Sequence, residues 1–343
     1  MLIRQVWPVK QLLRSSTQAN VWPKLAELMP DSLRILMYHR VCDPDASDFF
    51  GMKANVSATP SAFAAQIEYL SSHYNFIALD DCLAWIYDGQ PLPPRSIMIT
   101  FDDGYRDNLT EAAPVLASRK IPFILFPALG YLEDQRVFLW DGVAEAFRNS
   151  PIKSASLPKL GQREWSKEGM DERVAQEWLR AISPLPESAR STAINNLSDI
   201  LKFDILAKPP AGTHLTWAEL QEMTRLGCTM GAHTITHPMM VNMPPDEAAH
   251  EIESSKEALE KKLGTEVSSF AFPFGRLSDY DSAYIPLLIR SGLKIAFRST
   301  GAINFANEAR RNPYEIRRRC IGRFASLDEV AVATSGASRI WEH

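Results

Sequence analysis

The chain reads as an α/β protein, a parallel (β/α) barrel carrying a mainly helical insertion, and three observations predict it. Short, apolar, β-prone runs alternate with helical patterns from about residue 33 onward. No glycine-rich phosphate turn follows the first of these runs, as an open dinucleotide-binding sheet would show. His39, Asp102, Asp103 and His233 each follow the C-terminal end of a predicted strand, the face on which barrel enzymes place their chemistry.

Taken in order, Leu33–Tyr38 predicts a strand ending at His39. Thr59 caps a helix whose first position is Pro60 and whose apolar face holds Phe63, Ile67 and Leu70. Phe76–Leu79 predicts a strand and Asp81–Tyr87 a short helix. Ile97–Phe101 is the strand that leads into Asp102 and Asp103. Glu111–Arg119 is helical in pattern, with Pro114 tolerated only in a first turn, and Phe123–Ala128 is the next strand. Between about 131 and 215 the alternation stops; the stretch is polar and proline-bearing, with helical patterns near 171–182 and 188–201. It predicts a small helical cap inserted in the barrel. Thr216-Trp217-Ala218-Glu219 is a capping box, and Cys228–Ala232 a strand ending at His233. Residues 245–263 form an amphipathic helix, with Asp246 as its cap and Gly264 as its stop. Ser269–Phe272, Ile295–Arg298 and Ile316–Ile321 are the remaining strands, with a helix near 281–291. The expected organisation is an N-terminal arm or helix over 1–32 and a barrel over 33–343, interrupted at about 131–215.

Composition narrows the function. The 343 residues, 45% hydrophobic and 23% charged, suit a soluble globular protein with a large core. A net charge of -4 argues against nucleic-acid partners, which need a basic surface. Cys42, Cys82, Cys228 and Cys320 are far apart, which favours free, mostly buried thiols and a reducing compartment. No stretch approaches the ~20 apolar residues of a membrane span, and no apolar core of a signal peptide is present, so a cytoplasmic location is expected. Residues 2–14 combine Arg4, Lys10 and Arg14 with Leu2, Val6, Trp7, Leu12 and Leu13, which would allow contact with a membrane surface.

The chemistry centres on Thr100-Phe101-Asp102-Asp103-Gly104. Two adjacent carboxylates at a strand end repel one another, and a cation relieves the repulsion. His233 and His237 are four apart, and the β-branched residues between them and Pro238 after them favour a turn over a helix. Two histidines and a carboxylate can hold one metal with open positions, as a hydrolytic site requires.

These residues resemble the motifs of the polysaccharide deacetylases, the carbohydrate esterase group with a NodB-type domain. Thr100–Gly104 resembles the first motif, His233-Thr234-Ile235-Thr236-His237 the second, and Phe272-Pro273-Phe274-Gly275 the third. The likeness covers about residues 33–130 and 213–325. It implies a distorted (β/α) barrel and one divalent metal, zinc first among candidates that include cobalt, nickel, manganese and iron. By matching position, Asp103, His233 and His237 would hold the metal and Asp102 would be the general base. The backbone N–H of Tyr105 would help to stabilise the oxyanion. Pro273 and Phe274 would form a groove wall, and Trp140 could stack on a sugar. The implied activity is removal of an N-acyl group, acetyl first, from a sugar or polysaccharide, in a setting such as surface-polysaccharide synthesis.

Two departures stand out. Ala271 occupies the place of the third motif's arginine, and no histidine accompanies the last strand, where the family takes its general acid. His39 is the expected substitute, having a reference pKa near neutrality. Asp107 and Asn108 would brace the aspartate loop through turn hydrogen bonds. Arg317–Arg319 could meet an anionic substrate, with Arg318 on the opposite strand face from the other two. His73, His214, His250 and His343 carry no partner signal. Two rival readings follow from the same residues: a non-catalytic carbohydrate-binding protein on this fold, and a non-haem metal enzyme using the same ligands.

Overall fold

The computed structural model describes residues 21–336 other than 242, 302, 323 and 324, so the segment 2–14 lies outside the described residues. Among the described residues, seven parallel strands close into a ring. They are β1 (Ser32–Tyr38), β2 (Ser96–Asp103), β3 (Phe123–Pro127), β4 (Cys228–Met230), β5 (Ser269–Ala271), β6 (Ile295–Arg298) and β7, which consists of two pieces, Ile316–Arg317 and Arg319–Cys320. Neighbours pair in register Tyr38 with Phe101, Asp102 with Phe126, and Leu125 with Met230. A parallel bridge between Ala232 and Phe270 joins β4 to β5, and Ala271 pairs with Phe297. The two pieces of β7 complete the circuit: Arg317 pairs with Arg298 on β6, and Cys320 with Met37 on β1.

Strand alternation sorts the side chains. Leu33, Ile35, Met98, Ile124, Phe126, Ala271, Ile295, Phe297 and Ile316 form the barrel's interior, closed below by Leu79, Trp85 and Ile86. The residues between them, Leu36, Tyr38, Ile97, Ile99, Phe101, Phe123 and Leu125, face outward onto Phe63, Ile67 and Leu70 of the helix α1 (Pro60–His73). Asp102 has the parity of Met98 and Thr100, and Arg318 that of Ile316. Both therefore point into the barrel, near its C-terminal mouth.

The interrupted stretch contributes α2 (Leu139–Asn149), a hairpin of Ser154–Leu157 with Gly161–Glu164, α3 (Met170–Ile182) and α4 (Glu187–Leu201). These elements enclose a separate apolar cluster around Phe147, Trp165, Trp178 and Leu197. The helical patterns at 171–182 and 188–201 announced α3 and α4; the mixed composition of Leu139–Asn149 and of the hairpin hid the other two.

Other local expectations shift. Strand pairing at 75–79 stops after Asn75–Phe76, because Leu79 opens a helix whose N-cap, Ala78, is bonded by Asp81. Pro114 sits in the first turn of the helix Ala113–Ser118, where its missing N–H costs nothing. Thr216 makes its capping box with Glu219 at the start of α5 (Trp217–Arg225). In α6 (Pro245–Leu263) the cap is Pro244 and not Asp246, which lies within the first turn; Gly264 ends the helix in the left-handed region at φ 70°. Ile303–Phe305, which runs antiparallel to β1, was not legible in the sequence. The four cysteines are free, Cys82 and Cys228 buried and Cys320 exposed. No described helix is long and apolar enough to cross a membrane.

Candidate active site

Thr100, Asp102 and Arg318 stack at the mouth of the barrel. The guanidinium of Arg318 donates to both carboxylate oxygens of Asp102, at 2.7 and 2.6 Å, and to Thr100 Oγ1 at 3.2 Å. It lies between the rings of Phe126 and Phe297, 5.3 and 5.9 Å away, and is fully buried. Burial alone would push the Asp102 carboxyl up, but Arg318 outweighs it and the group sits below the usual carboxylate range. An ionised carboxylate held on two oxygens is oriented as well as charged.

Asp103 closes the same strand with the opposite task. Its φ of +76° breaks the strand's alternation and turns the carboxylate toward His233 and His237. The Nε2 atoms of these histidines lie 3.7 and 3.5 Å from Asp103 Oδ1. His233 Nδ1 donates to the carbonyl of Ala271 at 2.7 Å, so its Nε2 carries a lone pair facing the carboxylate. Burial holds His237 in its neutral form, with its pKa lowered to about 3. Burial pushes the Asp103 carboxyl up, but charged surroundings that include His39 hold it lower, at about 2.

All three residues are buried, and both Asp103 oxygens lack a hydrogen-bond partner among the described residues. Lone pairs facing an unpartnered buried carboxylate are repulsive until a cation lies between them. Ligands ~2.1 Å from one ion sit about 3 to 3.5 Å apart, close to the spacing seen. The donor set, two imidazoles and a carboxylate, fits a divalent ion, and no other such cluster is found among the described residues.

The turn that presents the histidines is non-helical, with Thr234 and His237 at φ +67° and +52°. Thr234 Oγ1 accepts from His237 N, and Glu251 of α6 accepts from Ile235 and Thr236.

His39 follows β1 directly and is half-buried. Its backbone is fixed by Ser57 Oγ and by Asn108 Nδ2, which donates to its carbonyl at 2.7 Å. Burial lowers its pKa, but Cys320 and the carboxylates of Asp103 and Asp102 raise it further, to about 9. Asp107 pairs with Arg40 at 2.8 Å and accepts from Val41 N. Asp107 and Asn108 thus tie the His39 loop to the aspartate loop, where local turn bonds were expected.

Tyr105 sits just past Gly104 in an isolated bridge with His214. The bridge bonds run from Arg106 N to Thr213 O and from Leu215 N to Gly104 O, leaving the Tyr105 N–H without an acceptor among the described residues. Its hydroxyl donates to Asp141 Oδ2 at 2.6 Å and accepts from Trp140 Nε1 at 2.9 Å. This holds the Trp140 indole 5.1 Å from the His237 ring and 6.1 Å from that of Phe274. Phe274 is 43% exposed and lies 4.8 Å from His237, while Pro273 is buried beneath it. His214 is buried beside Tyr105 and Phe138, at the edge of this cluster and not on the outer surface.

The structure therefore gathers Asp102, Asp103, His233, His237, His39, Tyr105, Trp140, Pro273 and Phe274 at one mouth. It corrects the reading of the arginine run: Arg318 is buried on Asp102 and is not open to substrate, and Arg317 pairs with Glu308. The charge absent at Ala271 reaches Asp102 from β7. The signal was present in the alternation, which set Arg318 alone on the inward face.

A family model for polysaccharide deacetylase matches residues 89–184 and 188–295. The chain is 30% identical over 130 residues to the poly-beta-1,6-N-acetyl-D-glucosamine N-deacetylase of Staphylococcus epidermidis, a match covering 36% of this chain and 44% of that protein. The Staphylococcus aureus MSSA476 protein of the same name matches at 30% over 131 residues, 36% of this chain and 45% of that one. The chain thus spans less than half the length of the curated relatives it matches. Among solved structures it is similar to the Streptococcus pyogenes deacetylase PplD in complex with acetate, with a TM-score of 0.58, 16% identity, and coverage of 89% of this chain and 99% of that one. It is likewise similar to IcaB from Ammonifex degensii, with a TM-score of 0.57, 19% identity, and coverage of 90% and 98%. These structures share the distorted (β/α) barrel. With a family model matched over more than half of its length, through the Asp102–Asp103 strand, the inserted helices and the His233–His237 turn, the chain belongs to the polysaccharide deacetylase family.

Proposed function

We propose that this protein is a metal-dependent N-deacetylase acting on an N-acetylated hexosamine polymer, with β-1,6-linked N-acetylglucosamine chains the first substrate to test. The observation that carries the reading is the division of labour between adjacent aspartates: Asp102 clamped by Arg318, Asp103 unpartnered and facing two histidines. The relatives' names supply the polymer.

Asp103, His233 and His237 would hold one divalent ion, zinc in the first instance. Such an ion polarises an amide carbonyl and acidifies water. Asp102, ionised and fixed in direction by Arg318, accepts the proton of the attacking water. The Tyr105 N–H donates to the oxygen on which negative charge develops. His39, protonated in its acidic surroundings, gives a proton to the leaving amine. Phe274 and Trp140 flank the opening with aromatic surface suited to a sugar face.

The binding-only reading drew support from the arginine missing at residue 271 and from the missing histidine beside the last strand; Arg318 supplies the charge that the first would have given, and His39 is the substitute proposed for the second. An oxygenase reading gives no task to a clamped second aspartate. The decisive experiment measures acetate released from an N-acetylglucosamine oligomer by chelated and zinc-restored enzyme. Zinc-dependent release, abolished in Asp102→Asn with zinc still bound, is the expected result. No release from any N-acetylated glycan with zinc, cobalt or nickel bound would overturn the proposal.

A further inference from the structure

The turn from His233 to His237 is strained, and the hydrogen bonds that hold it divide into two sets. Thr234 is β-branched yet lies in the left-handed region at φ +67°, and His237 lies there at +52°. Such residues cost about 1–2 kcal/mol each and persist only where surroundings over-determine them. The carbonyls of the turn face residues 129–131: Leu129 N donates to Thr234 O, Gly130 N to Ile235 O, and Tyr131 Oη to Thr236 O. The N–H groups face the other way. Ile235 N and Thr236 N both donate to Glu251 Oε2, at 2.7 and 3.0 Å, and Thr236 Oγ1 donates to Glu251 Oε1 at 2.6 Å. One side chain of α6 thus accepts three hydrogen bonds from two consecutive residues between the histidines.

We infer that Glu251 is a positioning residue for the metal centre: its carboxylate sets the turn so that both imidazoles reach one ion. It touches neither ion nor substrate in this role and acts through the backbone of residues 235 and 236. The inference rests on the metal reading of the site. Without Glu251, two half-buried N–H groups lose their acceptor, and residues 235 and 236, between the two left-handed positions, lose the bonds that fix them. The turn relaxes, and the ion is held by fewer well-placed ligands. Outer hydrogen-bond partners of this kind change metal affinity by about ten- to a hundred-fold.

The test is zinc affinity of the full chain, prepared metal-free with a chelator and titrated against a chromophoric competitor. Glu251→Ala is expected to weaken zinc binding by about ten- to a hundred-fold. Glu251→Gln keeps an oxygen for the two N–H groups and an amide for the Thr236 hydroxyl, so it is expected to restore affinity to within about threefold of wild type. The rise in melting temperature on adding zinc is expected to shrink in Glu251→Ala while the metal-free melting temperature stays within a few degrees. Unchanged zinc affinity in Glu251→Ala, or equal losses in the alanine and glutamine variants, would overturn the inference. Should the alanine variant fail to fold, Glu251→Asp retracts the carboxylate by one methylene. A loss of tenfold or more there supports the inference, and wild-type affinity overturns it. A wild-type chain that binds no zinc sinks the metal reading itself, an outcome distinct from any difference between variants.

Discussion

Asp102 and Arg318 face each other along two hydrogen bonds, at 2.7 and 2.6 Å, across 216 positions of sequence. The pair is buried, so its effects are large and separable. Arg318→Met strands a carboxylate in the barrel, a change that costs about 3–5 kcal/mol. We expect urea denaturation to show a loss of that order. Deacetylation should fall at least ~100-fold, with the zinc stoichiometry unchanged. Arg318→Lys keeps a charge but not the fork, so it should fold better than the methionine variant and recover little activity. Wild-type turnover in Arg318→Lys would show that orientation of Asp102 is unimportant.

Tyr105→Phe deletes one hydroxyl and leaves two neighbours in need. Trp140 Nε1 loses its acceptor and Asp141 Oδ2 its donor. A loss of about 1–3 kcal/mol in thermal or chemical melts is expected. With Trp140 freed beside His237 and Phe274, KM for the glycan should rise more than kcat falls. Zinc affinity should stay at the wild-type level.

Asp141 gives the protein a pH signature. Burial raises its carboxyl to about 6, against the opposing pull of Arg40 and its hydrogen bonds to Tyr105 and Met52. In the unfolded chain an aspartate titrates near ~3.9. Between about pH 4 and pH 6 the native state therefore holds a proton that the unfolded chain has released. Through that window this group makes the protein less stable as pH rises, by about 3 kcal/mol in all, and the effect levels off above it. Asp141→Asn should flatten this part of the stability-against-pH curve. A variant curve parallel to that of wild type would refute the assignment.

Gly142 tests the insertion without touching the chemistry. A Cβ at this position of α2 would collide with the carbonyl of Ile205. Gly142→Ala should therefore cost about 1–3 kcal/mol through displaced packing. Because α2 also carries Trp140, glycan KM should rise, while zinc binding stays as in wild type. Calorimetry and zinc titration on the same preparation check both halves.

Much of the fold could be read from the chain because each level of signal agreed. Ile97–Phe101 is apolar and β-prone, and Phe63, Ile67 and Leu70 mark one helical face; both are borne out. The barrel followed from the alternation of such segments. Signals failed where tertiary packing decided. Asp81 bonds the Ala78 N–H and turns the end of a predicted strand into a helix start. The hairpin Ser154–Leu157 with Gly161–Glu164 is largely exposed and lacks an apolar alternation to betray it. At the site, Asp103, His233 and His237 were legible because residue types that can ligate a metal stand in short, spaced motifs. Arg318 was not assigned to Asp102, because its partner is 216 residues away: the alternation of β7 sets its face apart from that of its neighbours but names no partner. Glu251 was hidden for the same reason: it looks like one more acid on an amphipathic helix.

The division of β7 into two pieces links folding order to competence. Ile316–Arg317 zips onto β6, Arg319–Cys320 onto β1, and the residue between them delivers the guanidinium to Asp102. A six-stranded precursor lacking this segment has two open sheet edges and an anion inside the barrel with no counter-charge. Docking one short segment removes all three liabilities together. A nascent or nicked chain missing it is therefore adhesive, and the counter-charge of Asp102 arrives in the same step that seals the sheet.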